Sequence, residues 1–436
     1  MRSSSGRAKK RYVWAGAIGT FALVVGLAAC APASQPAEPS AESGGSIPAD
    51  MPQMTPAADE FGVVTAESWK SIYPNEYASY LLNDANSPDS GKHDYLELYP
   101  ALNAMYNGYA FALDYDEAAS HLYTLDSVKG TLRTIEKDQL ANCISCKTPQ
   151  FTATVNTEGP EIYKEAFWDV VEQYTEPISC YNCHENDPES ITVANKFFLN
   201  SLGAADADDI PKESQACGQC HNEYYFDPTT KATTNPYTGT DAMTPDAILA
   251  YYDERGYSDW THPETGAGLI KAQHPEFETV YGGEGTYMAQ AGMTCASCHM
   301  GPAVDENGNE YVSHQWQSPL ENQALMDSTC NTSGCHASDE GGIAGKVAAI
   351  QAEEEERVNA ISEKIEEMIE GIAAAREAGT LSDNELATLQ RLHRESQFYW
   401  DFVMVENSEG AHNPELTAET LDKAEAAVDE ALAMLG

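Results

Sequence analysis

Ten of the eleven cysteines in this 436-residue chain fall into five close pairs, each followed at once by a basic residue. They are Cys143-Ile-Ser-Cys146-Lys147, Cys180-Tyr-Asn-Cys183-His184, Cys217-Gly-Gln-Cys220-His221, Cys295-Ala-Ser-Cys298-His299 and a wider Cys330-Asn-Thr-Ser-Gly-Cys335-His336. C-x-x-C-H is the attachment signature of a c-type haem, because two thiols reach the two vinyl groups on one porphyrin edge while the next residue turns under the iron as axial ligand. With cysteine and histidine each at about 2.5% of residues, chance gives roughly 0.01 such motifs in a chain of this length, whereas three unbroken copies occur. Disulfides and zinc sites also use paired cysteines, yet neither requires histidine directly after the second thiol. The chain therefore reads as a multihaem c-type cytochrome with five covalent haems.

The Lys147 motif is the informative departure. A lysine amine binds iron only when deprotonated, against an ordinary pKa of about 10.4, so coordination itself has to hold it neutral. The other reading is a degenerate site whose iron takes a different ligand, or no haem there at all. Electron-transfer haems take two strong axial ligands and a catalytic haem keeps one position open, so Lys147 marks the expected catalytic one. Four histidines are proximal by motif, which leaves His93, His121, His262, His274, His314, His393 and His412 as distal ligands, catalytic groups or structural residues.

The N-terminus reads as an export signal. Arg2, Arg7, Lys9, Lys10 and Arg11 precede an apolar run from Val13 to Ala29 that ends Leu27-Ala28-Ala29-Cys30, which resembles a lipobox. Cys30 would then be the acylated first residue of the mature chain, anchoring it by buried CH₂ groups worth roughly 0.8 kcal/mol each; an uncleaved helical span is the alternative. Either reading tethers the protein outside the cytoplasm. Residues 1–29 are thus expected to be a lipoprotein signal peptide, and 30–60, rich in Pro, Ala, Ser, Gly and Glu, a lipid anchor and disordered linker. A net charge of −45 argues against nucleic acid as a partner, and a reaction on a small anion would need positive charge concentrated locally.

The expected fold is mainly α, a multihaem cytochrome c fold in which short helices and loops wrap the porphyrins through residues 61–340. Beyond Gly341 the pattern changes: Val358, Ile361, Ile365, Met368, Ile369 and Ile372 recur at three- and four-residue steps, which predicts a long amphipathic helix. Ser382-Asp-Asn-Glu385 is a capping box ahead of Leu386, Leu389 and Leu392, and Leu421, Ala424, Val428, Leu432 and Leu435 mark a last helix. These long C-terminal helices, 341–436, can bury one another within a monomer.

On these residues the chain resembles the ammonia-forming cytochrome c nitrite reductases, a pentahaem family whose active haem is attached by C-x-x-C-K. The similarity extends to Cys217-Gly-Gln-Cys-His-Asn-Glu-Tyr-Tyr-Phe226 and Lys271-Ala-Gln-His-Pro-Glu276. The resemblance implies Lys147 as proximal ligand of the active haem, with Arg133, Tyr224 and His274 lining its open side. It implies one calcium ion held by the Glu223 carboxylate, the carbonyls of Tyr224 and Lys271 and the Gln273 amide oxygen, all hard donors. His121, His314 and His412 would be distal ligands of the third, second and fourth haems. For the fifth, Met288 stands near the expected histidine, giving a His336/Met288 pair; the alternatives are packing at Met288 with His262 or water on the iron. His93 and His393 are left as ordinary polar residues, and a homodimer through the long-helix region is expected.

The implied activity is six-electron reduction of nitrite to ammonium. The competing readings are a pure electron-transfer cytochrome and a reductase of hydroxylamine or sulfite. The expected electron donor is a membrane quinol-oxidising multihaem cytochrome or a soluble relay.

Overall fold

The computed structural model describes residues 55–84, 94–332 and 334–436; Cys30, His93 and the expected signal and anchor lie outside them. The cysteine motifs fold locally for reasons written between their thiols. Helix α1 (Pro149–Glu158) follows the first motif, capped by the Thr148 hydroxyl and started by Pro149. The second motif is helix α2 (Cys180–His184), where the Asn182 side-chain Oδ1 accepts from the Ser179 N–H. Helix α3 (Lys212–Gly218) runs into the third motif, and α4 (Pro245–Arg255) is capped by Thr244 and closed by left-handed Gly256. Helix α5 (Glu276–Tyr281) leads toward α6 (Cys295–His299), the fourth motif, whose Thr294 and Ser297 form a reciprocal capping box. Residues lying between paired cysteines, Asn182 and Ser297, thus help to wind the turn that presents each thiol pair on one side.

Among the described residues strand content is confined to three two-stranded antiparallel hairpins: β1 (Tyr225–Phe226) with β2 (Thr233–Thr234), β3 (Trp260–Thr261) with β4 (Gly268–Leu269), and β5 (Pro302–Val304) with β6 (Glu310–Val312). None is long enough to build a core.

The expected C-terminal helices are α7 (Gly342–Ala378), α8 (Asp383–Met404) and α9 (Pro414–Leu435). All six apolar positions read from α7 are buried, Val358 through Ile372, against Leu389, Leu392 and Trp400 of α8 and Leu421, Ala424 and Val428 of α9. The three helices therefore bury one another within the chain. Gln53–Gly436 forms one compact unit, so the long helices and the motif-bearing region share a body. Order also begins earlier than the expected linker boundary: Asp59 accepts from the Phe61 and Val63 N–H groups and from Gln150 Nε2 of α1 at 2.7 Å. Among the described residues no helix is long and apolar enough to cross a membrane.

Candidate haem and substrate site

Ten cysteines, Cys143 to Cys335, stand as thiols unbonded to one another. The histidine rings show what lies between them. The proximal His184 ring is 6.2 Å from His314, His221 is 6.1 Å from His121 and His299 is 6.0 Å from His412. Two metal–nitrogen bonds of about 2 Å plus two ring half-widths span about 6 Å, so each pair is spaced to clasp one iron. His221 also has His274 at 6.3 Å, and its hydrogen-bonding edge decides between the two. Its Nδ1 faces Glu276, on the His274 segment, at 3.7 Å, which leaves Nε2 for the His121 side.

The outward ring edges follow one rule. Nδ1 of His184 donates to the Ser190 carbonyl at 2.8 Å, that of His299 to Gln317 at 3.0 Å and that of His314 to Val312 at 3.0 Å. His336 uses the Asp339 carboxylate at 2.7 Å and His412 the Glu406 carboxylate at 2.6 Å. Engaging Nδ1 fixes the tautomer that turns the Nε2 lone pair to a metal. The donor set therefore fits c-type haem. The sites are also close together: the Cys146 and Cys220 thiols are within hydrogen-bonding reach, as are Cys217 and Cys295, and Cys330 acts electrostatically on Cys298.

Lys147 belongs to none of the three ring pairs. Its carbonyl accepts from the Thr124 hydroxyl at 2.7 Å and its N–H donates to Ile144, fixing the turn before α1. Arg133, on the short helix Leu132–Ile135, is clamped: Nη1 donates to the Asp114 carbonyl at 2.6 Å and meets its carboxylate at 3.3 Å, while the guanidinium lies 4.1 Å over the Phe111 ring. Its charge is felt at the Cys143 thiol and at the Tyr224 hydroxyl. Burial, then the nearby Cys146 and Cys143, push the Tyr224 phenol well up. His274 is pushed down to about 4 by burial, opposed by Glu276 and reinforced by His221, Lys147 and Lys271. Its Nδ1 is buried without a partner among the described residues. Arg133 and Tyr224 thus interact electrostatically with the thiols of the first motif, and His274 with Lys147.

The predicted calcium donors also come together. Glu223 is fully buried; one carboxylate oxygen accepts from Tyr252 at 2.9 Å and the other from the Gln273 N–H at 2.6 Å. Gln273 Nε2 lies 2.9 Å from the Lys271 carbonyl. An amide turned over would place Oε1 there, at the spacing of two oxygens on one calcium. Glu278, pushed up to about 8 by burial, accepts from the Glu223 N–H at 3.0 Å, and its second oxygen has no partner among the described residues. No cluster of three His, Cys, Asp or Glu forms a metal site among the described residues, and the predicted calcium set has a single carboxylate.

Other expectations fare differently. His262, the alternative sixth ligand, has both nitrogens engaged: Nε2 donates to Ala104 at 2.9 Å and Nδ1 accepts from Glu264 and Thr265. His393 is fully buried and hydrogen-bonded between Thr265 and Gln397. Met288 sits on the four-residue helix Tyr287–Gln290, 37% exposed. Asp114, Phe111, Asp339, Glu276 and Glu406 were missed because their partners are found only in three dimensions; Asp339, one helical step beyond His336, was the exception with a local signal.

Fold and site define a class, the multihaem c-type cytochromes. Residues 65–436 match the family model described as cytochrome c552. The chain is 30% identical over 383 residues to cytochrome c-552 of Parabacteroides distasonis, covering 82% of this chain and 74% of that one. It is 30% identical over 404 residues to the cytochrome c nitrite reductase subunit NrfA of Nitratidesulfovibrio vulgaris, covering 81% and 75%. The structure superposes on the catalytic subunit of the cytochrome c nitrite reductase of Desulfovibrio desulfuricans, described with two calcium sites, with a TM-score of 0.74, 24% identity and 86% coverage of each chain. The chain belongs to the cytochrome c552 family.

Proposed function

We propose that this protein reduces nitrite to ammonium at the Lys147 site. The observation that carries the reading is that, of the two motifs outside the three ring pairs, those of Lys147 and His336, it is the Lys147 motif whose groups interact electrostatically with Arg133, Tyr224 and His274. When bound, haem at Cys143 and Cys146 supplies the iron that holds nitrite, and haem at the other four motifs supplies its electrons. Arg133, pre-aligned by Asp114 and Phe111, offers a fixed guanidinium to the anion's oxygens without reorganisation. His274 holds its Nδ1 buried and without a partner among the described residues, and an arriving anion favours the protonated ring that donates to it. Tyr224 keeps its proton and serves as a neutral hydrogen-bond donor.

The remaining assignments belong to the same reading. Axial pairs are His184/His314, His221/His121 and His299/His412, with His336/Met288 at the fifth site. One calcium ion, held by Glu223, the carbonyls of Tyr224 and Lys271 and Gln273, orients Tyr224 and His274 and offsets local negative charge. Cys30 is lipidated on the outer face of the cell membrane, the donor is a quinol-oxidising multihaem cytochrome or soluble relay, and two copies associate through the long-helix region 341–436.

The test supplies nitrite and a strong reductant to protein matured in a host that attaches c-type haem. Ammonium should form with wild type and fall to background with Lys147→Ala. A fully haem-loaded wild type that yields none overturns the reading in favour of pure electron transfer.

A further inference from the structure

The histidine pairs differ in what holds their outer edges. At the second motif both rings, His184 and His314, lean on backbone carbonyls. At the fourth, His299 uses a carbonyl while His412 meets the Glu406 carboxylate at 2.6 Å. Glu406 is 4% exposed, and its second oxygen accepts from the Ser408 hydroxyl, whose oxygen accepts in turn from the His412 N–H. The carboxylate is therefore locked in place by its own loop. At the fifth motif His336 meets Asp339 at 2.7 Å.

A carboxylate differs from a carbonyl in carrying a full charge. Accepting the Nδ1 proton, it draws that proton outward and makes Nε2 a more basic ligand. A more basic axial nitrogen stabilises ferric over ferrous iron, and hydrogen bonding to the ligands is one of the levers by which a protein sets a haem's potential. Burial strengthens the effect at Glu406, where little water screens the charge.

We propose that Glu406 and Asp339 are positioning residues that lower the reduction potentials of the fourth and fifth haems, each through the Nδ1 of one axial histidine. At the fifth site Asp339 offsets the upward pull of a Met288 thioether. This rests on His412 and His336 being axial ligands, and not on nitrite being the substrate.

The test is a spectropotentiometric titration of the full-length haem-loaded protein, with electron paramagnetic resonance to follow individual low-spin haems. Glu406→Gln and Asp339→Asn keep an oxygen that accepts from Nδ1 and remove only the charge. Each should move one midpoint upward, a different one in each variant, with the haem count and low-spin signals retained. A fully loaded variant whose midpoints all stay at wild-type values overturns the assignment for that residue. Should Glu406→Gln lose haem, the partly exposed Asp339 decides. Shifted midpoints without ammonium formation leave this inference standing and sink the proposed activity; unshifted midpoints with ammonium formation do the reverse.

Discussion

Lys271 shows how one residue serves two structures at once. Its carbonyl faces the calcium donors, while its ammonium, 2% exposed, lies 4.0 Å from the fully buried Asp401 and about equally near the rings of Phe111 and Tyr115, at 5.3 and 5.0 Å. Burial lowers the lysine's pKa and raises that of Asp401, each against the pull of the other, so desolvation outweighs attraction and the pair is not a source of net stability. Removing one member is costly all the same, because the other is left charged and dry. Lys271→Met should destabilise the protein by about 3 kcal/mol, and Lys271→Met with Asp401→Leu by less, measured by denaturant titration of the holoprotein. Phe111 also carries Arg133 on its ring. Arg133→Ala should lower kcat/KM for nitrite about 100-fold, the usual effect of losing one pre-aligned donor to developing charge, with haem content unchanged. Such residues mark the limit of what sequence alone reveals. The proximal ligands are legible because covalent attachment forces thiols and ligand into five or seven consecutive residues. Glu406 and His412 are nearly as close in sequence, yet nothing in their spacing announces a hydrogen bond.

Among elements, the contrast lies between the long helices and the short ones. The buried face of α7 follows from its periodicity because its partners are α8 and α9, ordinary apolar side chains. Helices α2 and α6 have five residues each and little apolar periodicity, since the surface each is built to cover is a porphyrin; their start signals, Asn182 and Ser297, sit inside the cysteine motif. The contact of α3 with α5 is similarly hidden. A Cβ at Gly218 would come within 2.2 Å of the buried Phe277 ring, and the Phe277 N–H donates to the His221 carbonyl at 3.1 Å. Gly218→Ala should therefore destabilise by about 1–3 kcal/mol through overpacking and disturb the His274–Glu276 segment ahead of α5. Lowered melting temperature together with an altered His221 haem signal would show it; a wild-type melting temperature would refute the close packing.

At the scale of the whole molecule, acidity sets both stability and association. Glu354 of α7 is 5% exposed, and burial followed by Glu409, Glu406 and Glu355 pushes its carboxyl up to about 8. The folded state then binds a proton that the unfolded chain releases near pH 4.5, so this residue's contribution to stability declines as pH rises from about 4.5 to 8 and stays low above. Glu354→Gln should accordingly raise the melting temperature at pH 8 and leave it unchanged at pH 4.

The opposite face of α7 bears on the proposed dimer. Glu353, Glu356, Ala360, Glu363, Glu367, Glu370, Ala374 and Glu377 are all exposed, and they alternate at three- and four-residue steps, so they form one continuous ridge along the helix. A dimer closed across this ridge by a two-fold axis sets glutamates against glutamates. Its stability is then governed by screening: raising ionic strength from 0.01 to 0.15 M shortens the Debye length from about 30 to 8 Å, and association should strengthen over that range, as followed by sedimentation velocity. Glu363→Gln with Glu367→Gln should bring the low-salt affinity up toward the high-salt value. A dimer that instead weakens with salt would place the interface elsewhere, on a surface where opposite charges meet.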